Sequence, residues 1–174
     1  MRLFTPYRYV ESIHDINFKE LKDSGINCVL CDLDNTLVGH NIKIPSSEVI
    51  ELIKEVNDYG LEFVIFSNNT ENRVSHFCND LGVKFYFSSR KPLRMTYKKI
   101  LKETGVKADE MVTIGDQLLT DVLGSNKMGI KTILVDPVQK KDLIWTKINR
   151  FFENIVYRRL EKKKILKKGN YYNG

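Results

Sequence analysis

Between residues 27 and 136 the spacing of apolar positions changes in a regular alternation. Short apolar runs stand at "NCVLCDL" (27–33), "LEFVIFS" (61–67), "VKFYF" (83–87), "EMVTIG" (110–115) and "IKTILV" (130–135). Between them lie stretches in which apolar residues recur every three to four positions: "SSEVIELIKEVNDYG", "ENRVSHFCNDLG", "PLRMTYKKILKETG" and "QLLTDVLGSNKMG". The first kind of run has the length of a buried strand, and the second has the period of an amphipathic helix. Helix signals agree with the period. Ser46 or Ser47 can cap the first helix, Pro92 opens the third, and Gly60, Gly82 and Gly105 follow helix ends. Five apolar strands joined by helices predict an α/β fold with a mainly parallel five-stranded sheet covered on both faces.

Length and composition narrow the class. The 174 residues suffice for one domain with a substantial core, and 42% hydrophobic with 29% charged residues is the balance of a folded soluble chain. No run approaches the ~20 apolar residues that span a bilayer. The N-terminus lacks the apolar segment of a signal peptide, so a cytoplasmic location is expected. Cys28, Cys31 and Cys78 suggest no disulfide framework. Cys28 and Cys31 form a C-x-x-C without a second pair, and strand alternation puts them on opposite faces as small buried residues. Charge is uneven. From Lys140 to Lys168 eleven basic residues oppose Asp142, Glu153 and Glu161, a local +8 that leaves −2 for the rest of the +6 chain.

Open parallel sheets bind ligands at the carboxyl ends of their strands. There this chain places Asp32 and Asp34, then Ser67, Asn68 and Asn69, then Lys91-Pro92, then Gly115-Asp116 with Asp121 following. Two carboxylates one residue apart repel each other, so a cation is expected opposite them. Taken alone, Asp116 could be a helix cap and Lys91 a solvated lysine; together on one edge they predict a site. Neither a G-x-x-x-x-G-K nor a G-x-G-x-x-G is present, so nucleotide cradles of those kinds are not expected. His14, His40 and His76 have no ligand spacing.

In order and spacing, "DLDNTL" (32–37), "SNN" (67–69), "KP" (91–92) and "GDQLLTD" (115–121) resemble the four motifs of haloacid-dehalogenase (HAD) phosphatases. The resemblance implies a Rossmann-like three-layer sandwich and a Mg²⁺-dependent phosphomonoester hydrolase. Such chemistry needs a nucleophile, a proton donor for the leaving oxygen and positive charge on the phosphoryl group. Asp32 is the candidate nucleophile, forming an aspartyl-phosphate, and Asp34 the candidate acid and base. The resemblance implies metal ligands at the Asp32 side chain, the Asp34 backbone carbonyl and Asp116, with Asp121 in or near the shell. Ser67 and the backbone N–H groups around Leu33 and Asn68 would bind the phosphoryl oxygens and Lys91 would neutralise charge, Arg90 being the adjacent alternative. An acid at position 34, where related P-type ATPases carry Thr, implies hydrolysis. Asn35 and Thr36 are expected to stabilise the turn.

Many relatives insert a lid after the first or second motif. Here Leu37 and Ser67 are about 29 residues apart, already used by a helix and a strand, so no substantial cap domain is expected. An open site suits a substrate carried on something large. The tail "LIWTKINRFFENIVYRRLEKKKILKK" predicts a basic amphipathic helix over 143–166, with apolar stripes Ile144, Ile148, Phe151, Ile155 and Trp145, Phe152, Val156. Such a helix fits an anionic membrane surface, or it packs its stripe on its own domain. The expected organisation is a phosphatase domain over 1–136, with a lead-in at 1–26, and a basic helix and tail over 137–174. The wording of the motifs and the lead-in "PYRYVESIHDINFKELKDSGIN" are similar to the YqeG branch of the class III phosphatases. That resemblance implies phosphatidylglycerophosphate as substrate and peripheral membrane contact through 140–168. A soluble phosphatase of a nucleotide, sugar or phosphoprotein is the alternative, and an RNA- or ribosome-associated protein a third reading of the basic tail.

Overall fold

A computed structural model describes residues 2–139 and 144–173, with side chains set aside for 144–150. The five expected strands are β2 (Cys28–Cys31), β3 (Glu62–Phe66), β4 (Lys84–Tyr86), β5 (Met111–Gly115) and β6 (Lys131–Val135). Among the described residues the sheet has seven strands rather than five. β1 (Arg8–Val10) pairs in parallel with β6, and β7 (Tyr172–Asn173) pairs antiparallel with β1, giving the order β4-β3-β2-β5-β6-β1-β7. Both additions are too short to show a period. Their strand character comes from the partner: Tyr9 lies opposite Leu134 on one side and Tyr172 on the other.

Helices cover both faces: α1 (Phe18–Asp23), α2 (Ser47–Asp58), α3 (Glu71–Cys78), α4 (Arg94–Thr104), α5 (Leu123–Asn126) and α6 (Ile144–Lys162). Alternation along β2 feeds two cores. Val29 and Cys31 pack with Val49, Ile53 and Val56 of α2 and Phe77 of α3, while Cys28 and Leu30 pack with Tyr97 and Ile100 of α4. Cys28 and Cys31 therefore lie on opposite faces, as expected of positions three apart in a strand. From β2 the chain runs outward through β3 and β4, then returns to add β5 and β6 on the other side. The crevice between the carboxyl ends of β2 and β5 is the point where strand order reverses.

The tail is woven into this body. Leu160 and Leu166 are buried against Tyr9, Leu118, Val122 and Leu134, with Val156 and Tyr157 packed beside them. α6 thus turns Glu153, Val156, Tyr157 and Leu160 inward. Phe151, Phe152 and Ile155 of the expected apolar stripes face out, because a strand and a helix core already fill the inner side. Ile144, Trp145 and Ile148 lie outside the residues whose side chains are described. No described helix is long and apolar enough to cross a membrane.

Candidate active site

β2 delivers Asp32 into the crevice. Its N–H still donates to Ile114 O of β5 at 2.9 Å, and its side chain is buried. The chain then reverses at once. The Leu33 carbonyl accepts from the N–H groups of Leu37 and Val38, while Asn35 takes a left-handed φ of 66° and donates its N–H to Val38 O at 2.7 Å. Asn tolerates that conformation better than most side chains, which is why it suits the turn.

Lys91 is the centre of the charge arrangement. Its Nζ donates to Asp32 Oδ1 at 2.6 Å and to Asp121 Oδ1 at 2.7 Å, with all three side chains buried. Burial works against the ammonium, but Asp121 and Asp32 outweigh it and hold its pKa above the ordinary lysine value. Burial also raises the Asp32 carboxyl above the usual range, with Lys91 opposing and Asp121 adding to the rise. The Lys91 backbone is clamped by Asn68, whose Oδ1 accepts from Lys91 N–H at 2.7 Å and whose Nδ2 donates to Lys91 O at 3.2 Å. The Asn68 side chain therefore sets the loop that carries Lys91. Arg90, the adjacent cation, is exposed.

Asp121 hangs on a π-helical turn (Leu118–Val122), an irregularity common at functional sites. Its Oδ2 accepts from Gln117 N–H at 3.2 Å and from the Thr120 hydroxyl at 3.1 Å. It lies so close to Gly115 that a Cβ there would meet Asp121 Cγ at 2.2 Å, so this approach requires glycine. Asp32, Asp116 and Asp121 each place a carboxylate oxygen within 4.8 Å of the others. The Thr36 hydroxyl stands 3.4 Å from both Asp32 Oδ2 and Asp116 Oδ1, so this residue reaches the site as well as the turn. Three buried carboxylates gather around one ammonium. Hard oxygen donors at that spacing fit a small divalent cation. Both Asp121 oxygens already accept hydrogen bonds, so Asp121 suits a place beside such an ion, holding Lys91.

Asp34, on the far side of the turn, has different partners. Arg73 Nη2 and Nε donate to its Oδ1 at 3.0 and 3.3 Å, and Asn69 Nδ2 donates to its Oδ2 at 2.9 Å. The Asn69 amide cannot be turned round, since its Oδ1 accepts from Thr70 N–H at 2.8 Å. Ser67 is buried and its Oγ accepts from Asn69 N–H at 3.0 Å, which leaves the hydroxyl proton to donate. No motif marks Arg73 or the Asn69 side chain as partners of Asp34; the signal the sequence carries is position, Asn69 just past the end of β3 and Arg73 in the first turn of α3 facing the same crevice.

The chain is similar to known proteins. A haloacid dehalogenase-like hydrolase model matches residues 29–90, and a HAD-hydrolase-like model matches residues 88–140. Probable phosphatase YqeG of Bacillus subtilis is 37% identical over 162 residues, covering 93% of this chain and 94% of that one. Phosphatidylglycerophosphate phosphatase 1, chloroplastic/mitochondrial, of Arabidopsis thaliana is 25% identical over 148 residues, 79% of this chain and 42% of that protein. Among solved structures, the cobalt-bound deoxy-D-mannose-octulosonate 8-phosphate phosphatase of Haemophilus influenzae superposes with a TM-score of 0.51 at 17% identity, over 80% of this chain and 91% of that one. A subfamily III A hydrolase structure from Legionella pneumophila gives 0.50 at 22% identity, over 70% and 72%. Both share the fold described above.

Proposed function

This chain belongs to the YqeG family of haloacid-dehalogenase-like phosphatases, and from that premise we infer that it is a Mg²⁺-dependent enzyme working through an aspartyl-phosphate on Asp32. The observation that carries the assignment is the buried Lys91 bridging Asp32 and Asp121 beside Asp116, at the switch point of the sheet. An Asp32 oxygen attacks phosphorus, and the bond from phosphorus to the leaving alcohol oxygen breaks. Asp34 gives that oxygen its proton. The carboxylate of Asp34 then takes a proton from the water that attacks the aspartyl-phosphate, which releases inorganic phosphate and restores Asp32. Ser67 donates to a phosphoryl oxygen, and Lys91 offsets the charge on Asp32 and on the phosphoryl group. Asp32, Asp116 and the Asp34 backbone carbonyl would hold Mg²⁺, with Asp121 alongside. When bound, that ion supplies positive charge against the phosphoryl oxygens.

The substrate reading is phosphatidylglycerophosphate, hydrolysed to phosphatidylglycerol at a membrane surface. The Arabidopsis relative carries that activity in its name. Two features of this chain support the reading. Only loops separate β2 from α2 and β3 from α3, so among the described residues no lid inserted at either place excludes a lipid. The outward face of α6 also combines Phe151, Phe152 and Ile155 with Arg158, Arg159 and Lys162. The test offers the purified protein phosphatidylglycerophosphate and a panel of soluble phosphate esters with MgCl₂ and measures released phosphate. Release from the lipid is expected, with Asp32→Asn inactive on every ester. Turnover confined to soluble esters would replace the lipid with a soluble substrate, and an active Asp32→Asn would remove the nucleophile.

A further inference from the structure

Six of the fourteen large apolar side chains exposed among the described residues cluster at one edge of the sheet. Ile42, Ile44, Phe87, Leu93, Met95 and Val138 all lie in segments that follow the carboxyl ends of β2, β4 and β6. Those ends surround the crevice that holds Asp32 and Lys91. Ile44 is 69% exposed, Met95 63% and Leu93 56%, so they stand clear of the domain. Single apolar residues in water are ordinary, but a group ringing one mouth marks an interaction surface. On the β6 side the ring continues into α6. Phe151 and Phe152 flank buried Glu153, whose carboxylate accepts from Leu119 N–H in the turn that carries Asp121.

The charges between these residues identify the occupant. Segments 39–46 and 87–95 contain Lys43, Arg90, Lys91 and Arg94 and no Asp or Glu. Lys91 points inward, while Lys43, Arg90 and Arg94 are exposed. Of the nearby carboxylates, Glu71 at the start of α3 is exposed, and Asp136, two residues before Val138, accepts hydrogen bonds from the Tyr9 and Tyr171 hydroxyls. Apolar tips interleaved with cations match the boundary between anionic headgroups and acyl chains. We propose that the rim of the active-site mouth is itself a membrane-docking surface: the segments 41–45 and 87–95, the second reaching into the start of α4, seat on an anionic bilayer with the crevice facing the headgroups. The proposal rests on the lipid-substrate reading for its purpose, since a capless site that meets the bilayer mouth-first reaches a headgroup phosphate without extracting the lipid. Seating also lets the bilayer exclude water from the crevice, as a lid would.

The experiment measures binding of the full chain to vesicles of phosphatidylcholine with phosphatidylglycerol, and of phosphatidylcholine alone, by flotation. Three proteins are compared: wild type, Ile44→Ser with Leu93→Ser and Met95→Ser, and Lys43→Gln with Arg94→Gln. Hydrolysis of p-nitrophenyl phosphate and a thermal melt report whether each variant keeps its fold and its chemistry. Wild type is expected to float with the anionic vesicles only. The serine variant should bind about tenfold or more weakly, from loss of three inserted side chains. The glutamine variant should bind roughly thirtyfold more weakly, at about fivefold per charge. Both should keep their soluble-ester activity. Wild type that ignores anionic vesicles, or variants that bind as wild type does, would overturn the proposal. So would a serine variant that changes only from dimer to monomer in sedimentation, which would make the rim a face between two copies. Vesicle binding without hydrolysis of phosphatidylglycerophosphate would remove that substrate and leave the docking surface standing.

Discussion

Replacing Lys91 by Met tests the electrostatic core of the site directly. Met keeps most of the side-chain volume, so the change removes charge rather than packing. In the wild type the ammonium sits 2.6 Å from Asp32 and 2.7 Å from Asp121, both buried, with Asp116 close by. Removing one member of a buried pair leaves an uncompensated charge and costs about 3–5 kcal/mol. At a urea m-value of about 2 kcal/mol per molar, that is a fall of roughly 2 M in the unfolding midpoint. The loss must depend on pH. Burial raises the Asp32 carboxyl above the value near about 4 that it has in the unfolded chain, with Lys91 opposing the rise, so without Lys91 Asp32 binds its proton to still higher pH in the folded state. The folded state then holds more protons, so stability falls as pH rises from about 4 upward. Urea unfolding of the metal-free variant and wild type at pH 5.5 and pH 8 should show a small difference at the lower value and the full one at the higher, as expected from the linkage relation. Added MgCl₂ should raise the variant's midpoint at pH 8 more than that of the wild type. A loss equal at both pH values, or a variant as stable as wild type at pH 8, would refute the argument that Lys91 compensates buried carboxylates.

Three further predictions follow from neighbouring contacts. Arg73→Ala removes the fork that fixes Asp34, so hydrolysis of alkyl phosphates should drop about 10- to 100-fold while p-nitrophenyl phosphate, whose leaving group needs no proton, is barely affected. Steady-state kcat/KM on the two ester types checks this, and equal losses on both would count against a positioning role. Gly115→Ala drives a Cβ to 2.2 Å from Asp121 Cγ, so a loss of about 1–3 kcal/mol in denaturant unfolding should accompany loss of turnover. A chain cut after residue 139 loses buried Leu160 and Leu166 together with β7. Its midpoint should correspond to a destabilisation of roughly 3–6 kcal/mol, and a truncated chain as stable as the whole would show the tail to be detachable.

The alternation of strand and helix periods between residues 27 and 136 already contained the central sheet, because side-chain period is a local property. It also put Asp32, Ser67, Lys91 and Asp116 at one edge of the sheet as a site, and the resemblance of their motifs to those of haloacid-dehalogenase phosphatases implied phosphoryl chemistry. What the sequence could not supply was distance. Asp32 meets Lys91 across 59 residues, Lys91 meets Asp121 across 30, and Asp34 meets Arg73 across 39. Those encounters depend on β5 returning to the other side of β2, which no local period records. The same holds for the short strands β1 and β7, whose conformation is supplied by their partners, and for α6. Its spacing offered more than one apolar stripe, and only the surface presented by Tyr9, Leu118 and Leu134 decided that Leu160 would go in while Phe151 and Phe152 stayed out. The aspartates and the lysine were determined residue by residue; their grouping into one site was decided by strand order.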